Sequence, residues 1–504
     1  MIAVFGGPLS RFERVALGLG MALSAALMWP MRGALPDAAY AWLHIAKHVS
    51  TGAGFGLNAG DHTYVVTNPL WVTLLADGMW LGFDGPTLAR AISGGATLLT
   101  VPLFLQLMRR TVRTPALRAL GTVAWASSAW MARWGMSGLE TPLAVALVMG
   151  GFVALTEGPE WGDRPVRTGS LWALAALTRP GAVLLLALWA TVLLIDAKSR
   201  PGLRRLVFGL LPVVAIYGSW LLYARLSFNT FWPAVLATTP SVNPSLAEWW
   251  QRLTMDVDKI GATEGVLAIF GVLALVFGRL PSRLRDRSSL RILPLAWVIL
   301  LPALFAARGL KVEARHLLLV IPVAQWLVWW AVDRTWSGER NEPRRWVRAA
   351  VLGGILAALV VVQNLHAYER VVLPEVARQK LAMSQTLIRW GKWLGEHDPG
   401  ALVATESPGT IAYFGHARIL DLNGLFTPRI EGERRGQSHR EFIERLSFEG
   451  AGRAAYLVDR GTSVATLKSR SPYAGVFEVI DERDGYAFYR LNWAALTRDS
   501  TLTR

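Results

Sequence analysis

Five side chains that could bind a phosphate or move a proton lie at the ends of predicted apolar spans: Asp37, Glu140, Arg179, Arg315 and His316. Charged groups at a membrane edge are costly, and they usually mark a pathway or a site. A guanidinium binds phosphate through paired hydrogen bonds, and a carboxylate can take a proton from an attacking hydroxyl. We therefore assign Asp37 and Glu140 catalytic roles and Arg179, Arg315 and His316 phosphate-binding roles.

A polar stretch from Asp37 to Trp71 follows the first apolar span. A chain that only had to turn round would not need about 35 residues here, and a long ordered loop favours a site. The stretch contains three histidines (His44, His48 and His62) and a glycine-rich turn. We predict that substrate-binding residues lie in it and in a later outer loop: His44, Asn58, Thr67, Asn68, Trp71 and Asn229.

Each assignment has a structural alternative that the sequence leaves open. Asp37 could cap the helix that begins near residue 38, and Glu140 could interact favourably with the dipole of the span that it precedes. Arg179 and Arg315 could be outer-face anchors that reach the headgroups. His44 and His48 are four residues apart on a predicted helix, but two ligands are weak evidence for zinc. No metal ligand is therefore assigned, and a divalent metal cofactor is left open.

The composition is that of a membrane protein with many spans. Of the 504 residues, 53% are hydrophobic and 17% charged, the mean hydropathy is +0.34, and several apolar runs reach the ~17–25 residues needed to cross a bilayer. The net charge of +16 comes from basic residues clustered in short loops, which favours membrane topology over nucleic-acid binding. The chain contains no cysteine, which excludes disulfides, thiolate nucleophiles and cysteine-ligated metals.

The basic loops predict about eleven spans with a cytoplasmic N-terminus and an outer C-terminus. Residues 68–83 are apolar but short, and we assign them to a juxtamembrane helix, because a crossing there would place the arginine-rich loop 109–118 outside. Thr178-Arg179-Pro180-Gly181 divides 169–196 into two short spans that meet on the outer side. The other predicted spans are 14–32, 87–108, 116–134, 141–156, 205–224, 263–279, 292–307, 316–332 and 348–367.

The character of the chain changes after residue 367. A helical period over 376–397 is followed by strand-like runs at 401–405, 417–422, 454–459, 475–481 and 486–491, with a helix-like run at 439–447. This alternation predicts a soluble α/β domain. We therefore divide the chain into a membrane domain over 1–367, with an outer loop at 33–86, and an extracytoplasmic α/β domain over 368–504.

The order of these motifs resembles that of the C-type superfamily of polyprenyl-phosphate-sugar-dependent membrane glycosyltransferases. The likeness is greatest to actinobacterial cell-wall terminal β-(1→2) arabinofuranosyltransferases and their bacterial relatives. It rests on PDAAY, GAGFGLNAGD, TNPLW, Ser137 to Thr141, Arg179-Pro180, Asn229-Thr230-Phe231, Arg315 to Pro322 and ESPGTIAYFGHARILDLNGL. Two acidic positions of the family pattern fall on Ala38 and Gly181, so Asp37 alone would be the general base.

The resemblance implies the C-type glycosyltransferase fold in a bacterial inner membrane. It also implies inverting transfer of a sugar, such as an arabinofuranose-like one, from a polyprenyl-phosphate donor to a cell-envelope glycan or glycoconjugate. Two other functions remain open on the sequence. The first is a transporter of lipid-linked glycans, which an internal repeat would favour, but we see no repeat in the sequence. The second is a catalytically inactive relative that only binds glycan, which Ala38 and Gly181 suggest.

Overall fold

A computed structural model describes residues 7–61, 63–234, 244–277, 289–309, 312–337, 343–434, 437–461, 465–467, 471 and 473–499. The chain divides into two compact units. The first comprises Met1–Gly33, Ala89–Leu221 and Ser241–Val376, and the second comprises Ala34–Leu88, Leu222–Pro240 and Ala377–Arg504. The second unit thus combines the predicted α/β domain with most of the first outer loop.

The first unit is helical. Its helices pack through large aromatic side chains: Phe152 and Trp172 lie edge to face with centroids 5.1 Å apart, and Trp172 Nε1 donates to the Val148 carbonyl at 3.1 Å. Helices that lie in this unit or enter it are Arg11–Met28, Gly85–Thr111, Pro115–Ala126, Ala129–Gly135, Thr141–Leu155, Pro165–Thr178, Ala182–Asp196, Arg200–Val213, Ser219–Phe228, Leu246–Phe277, Leu293–Arg308, Ala314–Leu317, Ile321–Ser337, Pro343–Ala367 and Leu373–Gln385.

Five stretches of the described residues are long and apolar enough to cross a membrane: Arg11–Met31, Gly85–Thr111, Arg200–Phe228, Ser289–Arg308 and Val347–His397. The helices Thr141–Leu155 and Ala182–Asp196 are apolar but shorter. The chain is a membrane protein. Its total of eleven spans, and their orientation, stay predictions.

Several helix bounds differ from the sequence-based prediction. The predicted span 116–134 is two helices that meet at Ser127-Ser128, where Ser128 Oγ accepts from Met131 N and caps the second helix. The helix predicted at 263–279 begins earlier, at Leu246, in what we expected to be a loop. The helical run 376–397 is also two helices, since Thr386 lies outside the helical φ/ψ region.

The second unit contains a five-stranded sheet with strands β1 (Leu402–Thr405), β2 (Arg418–Asp421), β3 (Tyr456–Arg460), β4 (Phe477–Arg483) and β5 (Tyr486–Leu491). The strand order is β2-β1-β3-β5-β4. β1 is parallel to β2 and β3, and β5 is antiparallel to β3 and β4. All five predicted strands are present within one to two residues.

The core of the sheet is apolar, as the alternation of strand residues requires. Its buried side chains include Leu420, Leu457, Tyr489 and Phe442, the last from helix His439–Glu444. The other helices of this unit are Asp37–Ser50, Pro69–Trp80, Leu387–His397, Pro408–Gly415, Arg429–Glu433 and Ala494–Asp499. The predicted helix that carries His44 and His48 is therefore present, and most of the predicted juxtamembrane helix 68–83 is helical as well.

Candidate functional site

Arg179 lies at a break between two helices. Helix Pro165–Thr178 ends because Arg179 precedes a proline and has extended backbone angles, φ −149° and ψ 130°, as a residue before proline prefers. The next helix begins at Ala182. The sequence predicted this break, which places a guanidinium between two apolar helices, where it is buried.

The guanidinium of Arg179 has partners on three sides. Its Nη1 donates to Thr141 Oγ1 at 2.7 Å and to the Arg315 carbonyl at 3.1 Å. Its Nε lies 3.6 Å from Glu140 Oε1. Glu140 is the N-cap residue of helix Thr141–Leu155, but its side chain makes no capping hydrogen bond there. The carboxylate pairs with Arg179, and its interaction with the dipole of the following helix stays an alternative.

Two further arginines flank the indole of Trp134. The Arg133 Cζ lies 4.5 Å from the ring centroid and the Arg315 Cζ 5.5 Å from it, both within cation–π range. The Arg315 Nε lies 3.0 Å from Glu313 Oε2, and Arg133 is 3.9 Å from Glu375. We call Arg133, Arg179 and Arg315 the arginine cluster.

His316 is a neutral donor beside this cluster. Its Nδ1 accepts from the Glu313 backbone N–H at 2.9 Å, so the ring proton belongs on Nε2. A neutral imidazole with a free Nε2–H can donate to an anion without adding charge.

The structure thus brings together four of the predicted site residues in the first unit: Glu140, Arg179, Arg315 and His316. Arg133 was missed. It lies in an apolar, tryptophan-flanked run, and a buried arginine in such a run is itself a signal of a site. The carboxylate contacts of Arg179 and Arg133 are long, at 3.6 and 3.9 Å. An anion can replace them with shorter charge-assisted hydrogen bonds.

Asp37 lies in the second unit and binds backbone amides. It is the first residue of helix Asp37–Ser50, whose N-cap is Pro36, so the expectation that it caps its own helix is wrong. Its Oδ1 accepts from Thr410 N at 2.7 Å and its Oδ2 from Gly409 N at 3.1 Å. These amides begin helix Pro408–Gly415. Burial raises the pKa of Asp37 although these hydrogen bonds oppose the rise.

The histidine pair shapes the glycine-rich turn. His48 Nδ1 contacts the Gly56 carbonyl at 3.0 Å, and the His44 and His48 rings lie 4.4 Å apart. Burial, followed by the positive charges of His48 and Lys47, lowers the pKa of His44 to about 3. His62 lies outside the described residues.

The remaining predicted substrate residues are dispersed within the second unit. The Asn58 side-chain amide accepts from the Ile419 N–H at 2.7 Å and donates to the Ile419 carbonyl at 3.0 Å. It thereby pairs with the backbone of the edge strand β2. Trp71 is fully buried, and Asn68 precedes helix Pro69–Trp80 and is also buried. Thr67 is half-buried, and Asn229 is exposed with a left-handed φ of 58°.

A protein family described as "Domain of unknown function (DUF8728)" matches residues 374–499. No curated protein matches the chain. ArnT from Cupriavidus metallidurans bound to undecaprenyl phosphate is similar, with a TM-score of 0.60 and 13% identity over 95% of this chain and 97% of that chain. The chain has the C-type glycosyltransferase fold.

A second solved structure supports the same fold. The archaeal oligosaccharyltransferase AglB from Archaeoglobus fulgidus, in complex with an inhibitory peptide and a dolichol-phosphate, has a TM-score of 0.55 and 12% identity over 96% of this chain and 74% of that chain. The predicted fold class, a helical membrane protein with a C-terminal α/β domain, is therefore confirmed. At these identities the likeness concerns the fold and not the reaction.

Proposed function

We propose that the protein is an inverting membrane glycosyltransferase that uses a polyprenyl-phosphate sugar. The observation that carries this proposal is the arginine cluster on a C-type fold. Two buried guanidiniums, those of Arg133 and Arg179, and the half-buried guanidinium of Arg315 suit a phosphate, which offers several acceptor oxygens. The two similar solved structures hold undecaprenyl phosphate and dolichol-phosphate, which supports a lipid phosphate as the ligand.

In this proposal Arg179 and Arg315 bind the donor phosphate, and Arg133, which also contacts Trp134, adds positive charge. His316 donates its Nε2–H to the same phosphate. Glu140 keeps Arg179 oriented and hydrogen-bonds the sugar or the acceptor. The phosphate is the leaving group, so the cluster stabilises negative charge that develops as the glycosidic bond breaks.

Asp37 is the proposed general base. Its raised pKa makes it a better proton acceptor than an ordinary aspartate, and each of its oxygens retains a lone pair beyond the bond to a backbone amide. Direct attack of the acceptor hydroxyl on the anomeric carbon inverts that centre. His44, Asn58, Thr67, Asn68, Trp71 and Asn229 stay candidate substrate residues, of which Asn58 and His44 act by shaping the loop.

We place the reaction on the outer face of a bacterial inner membrane, with the N-terminus in the cytoplasm and the α/β domain outside. The acceptor in this proposal is a cell-envelope glycan or glycoconjugate. The resemblance described above favours an arabinofuranose-like sugar. Neither partner is a nucleic acid.

The test is sugar transfer by the purified protein in proteoliposomes. Radiolabelled polyprenyl-phosphate sugars are offered with envelope glycans extracted from a deletion strain, and binding of undecaprenyl phosphate is measured in parallel. Arg179→Lys should lower both donor affinity and transfer at least tenfold, because a lysine cannot make paired contacts. The matched control is Arg308→Lys, because Arg308 is an exposed arginine at the end of helix Leu293–Arg308.

Wild-type affinity and turnover in Arg179→Lys would remove the phosphate role. Movement of lipid-linked glycan across the bilayer without transfer would instead support the transporter alternative. A catalytically inactive glycan-binding relative is a second candidate, because both oxygens of Asp37 already accept backbone hydrogen bonds. Lipid-phosphate and glycan binding without transfer from any donor would support that candidate.

A further inference from the structure

The parallel part of the sheet has a point where the chain connections diverge. From β1 the chain passes through helix Pro408–Gly415 to β2 on one side, and it then crosses to β3 on the other side of β1. In open α/β sheets, ligands bind outside the carboxyl ends of the strands at such a point. The carboxyl ends of β1 and β3 are therefore where a ligand of this sheet should bind.

Two carboxylates lie at this point. In the parallel pairing, Thr405 of β1 is opposite Val458 of β3. The next residues along the chain are Glu406, just after β1, and Asp459, which is still in β3. Neither contributes to the apolar core of the sheet. These two carboxylates are brought together by the register of the parallel strands and not by the conformation of a surface loop.

A histidine from the connection between β2 and β3 joins them. His439 is the first residue of helix His439–Glu444, whose start is fixed by a capping box between Ser438 and Glu441. The His439 Nε2 lies 2.9 Å from Glu406 Oε1 and 2.8 Å from Asp459 Oδ1. We call Glu406, His439 and Asp459 the strand-end triad.

One oxygen of this triad has no hydrogen bond. Asp459 is almost fully buried, at 1% exposure. Its Oδ2 finds no hydrogen-bond partner among the residues that the structure describes. A buried carboxylate oxygen without a partner is costly, since the desolvation of the group is not repaid. A cation bound by the carboxylate would remove this cost.

We propose that the strand-end triad binds a divalent transition-metal cation, Zn²⁺ or Mn²⁺. One imidazole nitrogen and two carboxylates are a donor set that suits these ions. Two ligand atoms each about 2.1 Å from an ion lie about 3 Å apart at a right angle and about 3.4 Å apart at the tetrahedral angle that zinc favours. The nitrogen–oxygen separations of 2.8 and 2.9 Å would therefore widen slightly around an octahedral ion and by about half an ångström around a tetrahedral one.

The triad is also open to solvent on one side. The side chains of Glu406 and His439 are 26% and 19% exposed, whereas that of Asp459 is fully buried. An ion can therefore enter past Glu406 and leave water on its open positions. The site belongs to the second unit alone and does not rest on glycosyl transfer or on the arginine cluster.

The test measures metal binding by the full-length protein in detergent. Metal content is determined by elemental mass spectrometry after purification without chelator. After chelation, thermal unfolding and calorimetric titration are followed with ZnCl₂, MnCl₂, MgCl₂ and CaCl₂ separately. His439→Gln and Glu406→Gln remove single ligands, and Asp459→Asn removes the buried one. His397→Gln and Glu396→Gln, both exposed on helix Leu387–His397, are the controls.

We expect Zn²⁺ or Mn²⁺ to bind with 1:1 stoichiometry and raise the melting temperature of the wild type and of both controls. Each ligand variant should weaken the affinity at least tenfold. Glu406→Gln, at the exposed rim, decides the matter if the other variants fold poorly. The proposal is overturned if the wild type binds no ion, or if Glu406→Gln and His439→Gln bind the ion as tightly as the wild type does. In either case the triad is a protonated His439 paired with two carboxylates.

Discussion

The candidate sites of the two units carry opposite charge and are stabilised differently. In the first unit the guanidiniums of Arg133 and Arg315 lie against Trp134. Each of the three arginines of the cluster has a carboxylate side chain as its counterion. In the second unit carboxylates lie at the carboxyl ends of the three parallel strands: Glu406 follows β1, Asp421 is the last residue of β2, and Asp459 is the last but one of β3. The first arrangement suits an anionic ligand and the second a cation or a proton.

In the second unit, carboxylates are stabilised by hydrogen bonds from backbone amides. Asp37 accepts two, and Asp421 accepts one from Asn423 at 3.0 Å and one from Phe426 at 2.8 Å. Burial nevertheless raises the pKa of Asp421 to about 6. Amides at a helix or loop start are fixed by the backbone, whereas side-chain ion pairs can be exchanged. This contrast suggests a rigid second unit and an arginine cluster that can reorganise around a ligand.

The largest expected effect concerns Asp37 and separates catalysis from structure. If Asp37 is the general base, Asp37→Asn should lower the transfer rate about 10²–10⁴-fold. Because both oxygens accept an N–H, an asparagine can replace only one of these acceptors, and a structural role predicts a loss of ~1–3 kcal/mol in stability. Transfer rate and melting temperature are measured on the same sample. A lower melting temperature with transfer close to wild type would assign Asp37 to structure alone.

Gly409 tests how rigid the backbone-held part of the second unit is. A Cβ at this position would lie 2.1 Å from the Asp37 carbonyl oxygen and 2.5 Å from Ala41 N, so two helices would have to separate. Gly409→Ala should cost about 3 kcal/mol, the upper range for overpacking, measured by thermal or denaturant unfolding. Gly432→Ala, where nothing lies within 4 Å, is the control. Equal stability of the two variants would contradict the close packing.

The ion pairs of the arginine cluster should differ in strength according to burial. The Glu140 side chain is 7% exposed and that of Glu313 is 53% exposed. Glu140→Gln should therefore cost about 2 kcal/mol, because Arg179 keeps its charge without a counterion. Glu313→Gln should cost less than about 1 kcal/mol, as exposed pairs do. Both are measured by thermal unfolding, and a larger loss in Glu313→Gln would reverse the comparison.

The smallest expected effect is a pH dependence from His44. Its pKa is lowered to about 3 from an ordinary 6.5, so the unfolded chain binds a proton below pH 6.5 that the folded chain does not. The unfolding free energy should thus fall as the pH decreases, by at most ~1.4 kcal/mol per pH unit. His44→Gln should flatten this dependence between pH 6.5 and 5, whereas His397→Gln should not. Parallel curves for wild type and His44→Gln would show that His44 makes no such contribution.

Local sequence signals predicted most secondary elements. Arg179-Pro180-Gly181 predicted a helix break because proline excludes a helical residue before it, and strand-like runs predicted all five strands. Helix bounds failed where tertiary packing overrode the local pattern, as at Leu246. The resemblance to C-type glycosyltransferases predicted the fold, and the similar solved structures confirm it.

The sequence by itself determined the residue types available for chemistry, the apolar runs and the breaks between them, because these depend on composition and nearby residues. Only the tertiary structure decided the partners. Asp37 meets Gly409 and Thr410, which lie about 370 positions away, and Arg179 meets Glu140 and the Arg315 carbonyl. Glu406, His439 and Asp459 carry no shared local motif. They converge because parallel pairing of β1 and β3 aligns their carboxyl ends, and such long-range register cannot be read from neighbouring residues.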